Sequence, residues 1–453
     1  MSTEILARLQ FAITISFHYI FPPLSIGLGM ILVIMEFFWI RSGDDSYKEM
    51  TRFWVRIFSL IFGIGVATGI VMEFEFGTNW ATYSRYVGDI FGSALAAEGV
   101  FAFFLESGFL ALLVFGWDRI SPKMHFFSTC MVALGSTFSA VWIVVANSWM
   151  QTPAGYKIVG KGLNAKAHIT NFWAMVFNPS SVDRLLHVLV SAYITGAFLV
   201  ISVAAYYLLK KQHIKFAERS LKIGLFVAII ATLLQFVTGD QSVRYVAKYQ
   251  PAKLAAIEGH FHSNQPLDLS LIGFVNMQNQ SITGVSLPRV GSYLLYWNPE
   301  KPVKGLDSFR KSDIPPVQAV FQLYHVMVAC GVALALVSIT GVYLMISKKL
   351  YTNKIYLQIA VGSVVLPQIA NQAGWFTAEL GRQPWIVYGM LRTSQALSKA
   401  VSAGEILSSL ILFTLIYALL GVLFIYLLNR RIQTGPETSV DTNSELGHEV
   451  RLA

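Results

Sequence analysis

His18, His187, Met327 and Glu379 are side chains able to hold iron, and each lies in or at the end of a long apolar run. Imidazole is a common metal ligand, and a neutral ring in lipid needs a partner. Any one of these histidines is as well explained by a bond to a neighbouring carbonyl. Methionine alone says little in a chain that has 13 of them. Depth is what unites the four. With the orientation derived below, His18 falls in the outer half of the first run and His187 just inside the outer end of the fifth. Met327 falls about two to three turns into the seventh run, and Glu379 at the outer end of the eighth. A His/Met pair is a known axial set for electron-transferring haem.

Glu98 and Glu106 add a second kind of chemistry. Both lie in the third run, eight positions apart, which puts them on one helix face about 12 Å from each other. Carboxylates stacked on a membrane helix favour a proton relay over two unrelated cavity-facing groups. Glu36, Glu73 and Glu75 fall near run ends and read as interfacial, and Glu405 reads as the start of a helix. The stretch from Gly374 to Trp385 (Gly-Trp-Phe-Thr-Ala-Glu-Leu-Gly-Arg-Gln-Pro-Trp) crowds Trp375, Glu379, Arg382 and Trp385 at a hydrocarbon boundary, where ionisable groups are costly and usually functional.

The elements that must carry these groups are helices. The chain has 453 residues, 55% hydrophobic and only 13% charged, more apolar surface than a soluble core needs. Nine apolar runs are long enough to cross a hydrocarbon layer of about 30 Å: 12–39, 54–76, 93–115, 124–148, 183–209, 216–239, 318–346, 355–378 and 405–428. The expected fold is an all-α polytopic membrane protein of about nine transmembrane helices. No basic n-region precedes the first run and no small-residue cleavage site follows it, so that run reads as a membrane helix.

Charge orients the helices. Arg41, Lys48 and Arg52 follow the first run, Arg119 and Lys123 the third, and Lys210, Lys211, Lys215, Arg219 and Lys222 the fifth. Lys348, Lys349 and Lys354 follow the seventh, and Arg430 and Arg431 the ninth. These loops are expected inside, with the N-terminus outside and the C-terminus inside. The net charge of +9 is thereby dispersed over short loops, and nucleic acid is not an expected partner. Cys130 and Cys330 both fall within runs and read as buried apolar residues.

Four segments follow. Residues 1–239 hold helices one to six, with haem and proton-path candidates. Residues 240–317 form a long outer loop rich in Pro, Gly, Asn and Gln, and loops of that length are often functional. Within it, Lys253 to Glu258 is expected to form a short helix with both end residues near one face. Residues 318–430 hold helices seven to nine, and 431–453 form a polar inner tail, expected to be disordered. The aromatic connection 77–92 (Asn79, Trp80, Tyr83, Tyr86) is expected to lie in the interface.

The chain resembles subunit I of the cytochrome bd-type quinol:oxygen oxidases over nearly its whole length up to the tail. The resemblance rests on Arg8-Leu9-Gln10-Phe11-Ala12, on Gly65 to Gly69 with Met72-Glu73-Phe74 and Phe76 to Trp80, and on Val87 to Gly92. It continues through Ala97-Glu98-Gly99 to Glu106-Ser107, Phe115 to Arg119, Lys253 to Glu258, Met327 to Gly331 and Gly381-Arg382-Gln383-Pro384-Trp385. It implies that His187 and Met327 ligate a low-spin haem b. His18 and Glu379 would ligate two high-spin haems, one haem b and one haem d or a b haem in its place. It further implies Trp375 between haems, Arg382 on propionates, Lys253 and Glu258 at quinol, and Glu98 and Glu106 in protonation near the oxygen site. Expected partners are the lipid bilayer, quinol, O2, an oxidase subunit II and a small single-helix subunit, in a bacterial cytoplasmic (inner) membrane. The sequence departs from some relatives in a short second half of the quinol loop and in His325, where they carry Arg. A histidine at that position is still able to bond a propionate. Two other classes, a secondary transporter and a b-haem carrier without oxygen chemistry, remain to be weighed against this one.

Overall fold

The computed structural model describes residues 2–436, so the expected polar tail lies almost wholly outside the described residues. Helices α1 (Thr3–His18), α2 (Phe21–Ser42) and α3 (Asp45–Thr78) open the chain. Helix α4 (Ala81–Glu98) continues through a π turn over Gly99–Phe103 into α5 (Phe104–Phe115), and α6 (Pro122–Gln151) follows. A hairpin of β1 (Tyr156–Val159) and β2 (Lys166–Ile169) and the short α7 (Phe172–Val176) precede α8 (Ser181–Lys210) and α9 (Ile214–Tyr249). The long loop then holds α10 (Pro251–Glu258), an antiparallel hairpin of β3 (Leu269–Asn276) and β4 (Ser281–Leu287), and α11 (Val290–Tyr296). Helices α12 (Val317–Ile346), α13 (Lys354–Gly362) and α14 (Val365–Leu380), a small pair of β5 (Trp385–Val387) and β6 (Leu391–Arg392), and α15 (Ala403–Thr434) complete the chain.

Among the described residues, eight helical spans are long and apolar enough to cross a membrane: Thr3–Ser42, Asp45–Thr78, Ala81–Phe115, Pro122–Gln151, Ser181–Lys210, Ile214–Tyr249, Lys311–Ile346 and Ala403–Thr434. The remaining expected run, 355–378, is broken into α13 and α14 at Ser363 and Val364. Pro367 lies four residues after Ser363. It has no N–H to bond that carbonyl, and its ring crowds it. The same physics breaks the first span, where Pro22 and Pro23 cannot continue the ladder from His18 and Tyr19, so α1 ends on His18.

Helix starts follow local chemistry. Ser2, Ser121 and Asn353 cap α1, α6 and α13 by accepting a backbone N–H. Ser402 and Glu405 form a reciprocal capping box at α15, so the reading of Glu405 as a helix start holds. The main core packs α2, α3, α8 and α9 through Trp54, Phe58, Phe198 and Tyr207. A second core, of Tyr83, Ile90, Trp149, Met175 and Val387, joins α4 and α6 to the β5–β6 pair. Helix α15 exposes Leu407, Ile411, Leu412, Leu415, Leu419 and Val422, as expected for a face that meets lipid or another subunit.

Three expectations are corrected. Residues 81–92 are not an interfacial connection but the first turns of the α4 span. Glu36 is not interfacial: it is fully buried, accepts from Thr129 and lies 2.6 Å from Nδ1 of the buried His125. A buried carboxylate needs such partners, which the sequence spreads over two helices. Glu75 is likewise buried, while Glu73 is exposed. Glu75 falls at the C-terminal end of α3, on the face that packs on α1.

Candidate functional site

Two imidazoles are oriented in the same way. His18, at the end of α1, has Nδ1 3.0 Å from Thr68 Oγ1 on α3. The Thr68 hydroxyl gives its own proton to a helix carbonyl, Ile64 O at 2.9 Å or Gly65 O at 3.0 Å. It can therefore only accept from the ring, so Nδ1 carries the proton and Nε2 keeps the lone pair. His187, on α8, has Nδ1 3.1 Å from Thr238 Oγ1 on α9, and that hydroxyl donates to Gln235 O. A glycine follows each threonine. A Cβ on Gly69 would lie 3.2 Å from His18 Cε1, and one on Gly239 would lie 3.7 Å from His187 Cε1. A ring nitrogen fixed by a hydrogen bond on its far side is the arrangement found in metal-ligating histidines. Gln235 also lies against the His187 ring, with its amide nitrogen 3.0 Å from Nε2.

Met327, on α12, packs against α14. A Cβ on Gly374 would stand 2.7 Å from its sulfur, so α12 and α14 pass closely there. At the next residue of α14, Trp375 stacks on Tyr19 with ring centres 5.3 Å apart, and its indole N–H has no partner among the described residues. Tyr19 directly follows His18, so Trp375 joins the neighbourhoods of His18 and Glu379.

Glu379 is the hub of a polar network. Its Oε1 accepts from Asn147 at 3.0 Å and from Gln151 at 3.3 Å, both on α6, and its Oε2 pairs with Arg382. Asn147 Oδ1 accepts from Arg184 of α8 at 2.7 Å. Gln151 Oε1 accepts from Lys253 at 2.7 Å and from Gln250 at 2.9 Å. Arg382 is 3% exposed, and its Nε and Nη1 have no hydrogen-bond partner among the described residues.

Lys253 and Glu258 do fall on one short helix, α10, as the sequence predicts, but neither reaches out to water: they are 2% and 4% exposed. Burial drives the Lys253 ammonium well below the usual lysine range, Arg184 and Arg382 push the same way, and Glu379 opposes them. Burial lifts the Glu258 carboxyl to about 7, against a weaker bond from the Ser270 N–H. His325 joins the loop to a helix. Its two nitrogens face the carbonyls of Phe321 at 2.7 Å and Ser270 at 2.8 Å, which clamps β3 onto α12.

The two carboxylates of the third span each meet a serine of α6. Ser136 donates to Glu106, and Ser139 donates to Glu98 at 2.8 Å. Gly135 permits this: a Cβ there would lie 2.8 Å from the Glu106 Cβ, so α5 and α6 touch at that level. The π turn between the carboxylates is a feature frequent at functional sites.

Asn147, Gln151, Arg184, Thr68 and Thr238 were not singled out from the sequence. The spacing of Asn147 and Gln151, four apart at the outer end of an apolar run, was the available signal.

The buried donors fit haem. Arg382 offers unpartnered N–H groups to carboxylates, Trp375 offers an indole, and two imidazoles hold a lone pair at Nε2. Glu379 Oε2, with a single donor, keeps acceptor capacity.

Comparison with known proteins settles the family. The sequence model for cytochrome bd terminal oxidase subunit I matches residues 6–436. The chain belongs to that family. It is 39% identical to the cytochrome bd ubiquinol oxidase subunit 1 of Bacillus subtilis strain 168 over 448 residues, covering 96% of this chain and 95% of the relative. It is 34% identical to the cytochrome bd-II ubiquinol oxidase subunit 1 of Escherichia coli K12, covering 95% and 96%. The bd oxidase structure from Geobacillus thermodenitrificans superposes with a TM-score of 0.89 at 30% identity, covering 96% of this chain and 99% of that one. The all-α polytopic membrane fold is that of bd oxidases, and the transporter alternative has no support.

Proposed function

We propose that this chain is the haem-bearing subunit of a terminal respiratory oxidase, oxidising membrane quinol and reducing O2 to water. Family membership supports the reaction, and the observation that carries the site is the pair of threonine-oriented imidazoles, His18 and His187. His187 and Met327 hold a low-spin haem b. His18 and Glu379 hold the high-spin haems, a b haem and a haem d or a second b haem. Bound haem supplies one-electron transfer and the iron at which O2 is reduced. Trp375 bridges haem neighbourhoods, and Arg382 neutralises propionates.

Residues 2–249 and 317–434 form the membrane bundle and 250–316 the quinol loop. Glu258, near neutrality in its pKa, accepts a proton from quinol. Lys253 ties α10 to Gln151 and so joins the quinol loop to the Glu379 network. Reduction of one O2 consumes four electrons and four protons. Glu106 and Glu98, each bonded to a serine, carry protons outward from the inner side. Release outside and uptake inside generate a potential without a pump. The chain works with a subunit II and a small single-helix subunit in a bacterial inner membrane.

The test is O2 consumption by the purified complex with ubiquinol and menaquinol analogues. Quinol-dependent O2 uptake that yields water supports the proposal, and its absence in haem-replete protein contradicts it.

A further inference from the structure

Arg184 has no role in the sequence reading, yet its surroundings are incomplete. It lies on α8, three residues before His187, so the two share a helix face. Its Nη2 donates to a neutral amide, Asn147 Oδ1, at 2.7 Å. Its Nε is enclosed and has no partner among the described residues. The adjacent Asp183 attracts it but makes no hydrogen bond to its Nε: it accepts from Ser242 at 2.8 Å, on the α9 side.

Unpartnered donors mark the gap. Arg184, Arg382 and Lys253 gather around one carboxylate, Glu379, which pairs with Arg382. Guanidinium groups stay protonated in proteins. With Lys253 neutral, Arg184 and Arg382 stand against two carboxylates, Glu379 and Asp183, yet Arg184 Nε and Arg382 Nε and Nη1 still find no acceptor among the described residues. Enclosed guanidinium N–H groups left without an acceptor are costly, so the folded, loaded protein brings an acceptor here. The unpartnered N–H groups point to its shape: enclosed guanidinium nitrogens on both arginines fit planar carboxylate oxygens.

We infer that Arg184 binds a haem propionate, with Arg382 and Lys253 completing one cationic patch between α8, α14 and α10. The inference rests on the haem reading above. The patch lies one turn from His187 and within the network of Glu379, two of the candidate ligands. A carboxylate side chain from a partner subunit has the same chemistry, and the experiment separates the two sources.

The experiment uses the purified complex with Arg184→Gln and Arg184→Lys, reading haem content, the midpoint potential of each haem, and redox-difference infrared spectra with haem labelled by carbon-13 at its carboxyl groups. A nearby positive charge favours the reduced haem. Arg184→Gln is therefore expected to lower one haem's potential, Arg184→Lys to restore most of it, and the labelled carboxylate band to move in both. Full haem content with unchanged potentials and an unmoved band in Arg184→Gln overturns the inference. A shifted potential with an unmoved labelled band assigns the anion to a partner's side chain and also overturns it. Should Arg184→Gln not assemble, the labelled band in Arg184→Lys decides by moving or staying. Absence of haem from the unsubstituted complex would instead defeat the haem reading itself.

Discussion

Thr68 Oγ1 lies 3.0 Å from His18 Nδ1 and fixes which ring nitrogen carries the proton. Thr238 does the same for His187 from a different helix pair. Thr68→Val keeps the shape and removes the acceptor. Loss of such a partner typically weakens metal binding by about 10–100-fold. The expected outcome is lower high-spin haem content in Thr68→Val and lower low-spin haem content in Thr238→Val, with Thr→Ser restoring both. Unchanged haem content and an unchanged iron–histidine stretching frequency in Thr68→Val would show that the hydroxyl only packs.

Met327→Leu removes a soft sulfur ligand at nearly constant volume. The low-spin signal is expected to convert towards high spin, while the fold is retained, because a volume-conserving apolar swap costs less than about 1.5 kcal/mol. Electron paramagnetic resonance reads the conversion. A low-spin spectrum that survives intact would remove Met327 from the ligand set.

Glu258 sets a pH dependence. Its carboxyl titrates at about 7 because burial disfavours the charged form. As a proton acceptor it works only when ionised, so quinol oxidation should rise as pH increases through about 7. In Glu258→Gln the quinol KM should increase and that rise should disappear, with haem spectra unchanged. Lys253→Met differs, because Lys253 bonds Gln151, a donor to Glu379, and should perturb a haem spectrum as well. An identical pH profile in Glu258→Gln would place the quinol base elsewhere.

Much of this was legible in the sequence. Apolar runs of membrane length reveal helices directly, since each run must satisfy its backbone internally. His18, Glu98 and Glu379 are visible as costly groups in those runs. The proline breaks after His18 and before Pro367 were written in the chain but were absorbed into continuous runs. Glu36 was misjudged because its partners, His125 and Thr129, are about 90 residues away. The network of Asn147, Gln151 and Arg184 was missed for the same reason. Neutral amides and a helix-end arginine become significant only when three helices bring them to one carboxylate.

Glu106 separates proton transfer from structure. Ser136 donates to it, and a glutamine retains that acceptor but carries no proton. Glu106→Gln should keep its haems and still be reduced by quinol. Its O2 turnover should fall by roughly 100-fold, at the low end of what a lost proton-transfer group costs. Near-normal turnover with haems present would take Glu106 out of the path, and simple haem loss would make it structural.

The most direct test of the whole account is one optical experiment on the purified complex, reduced by quinol, before and after carbon monoxide. The account predicts low-spin b bands together with separate high-spin bands, and only the high-spin bands shift on adding carbon monoxide. A spectrum without haem bands, or one with low-spin bands alone and no response to carbon monoxide, would contradict it.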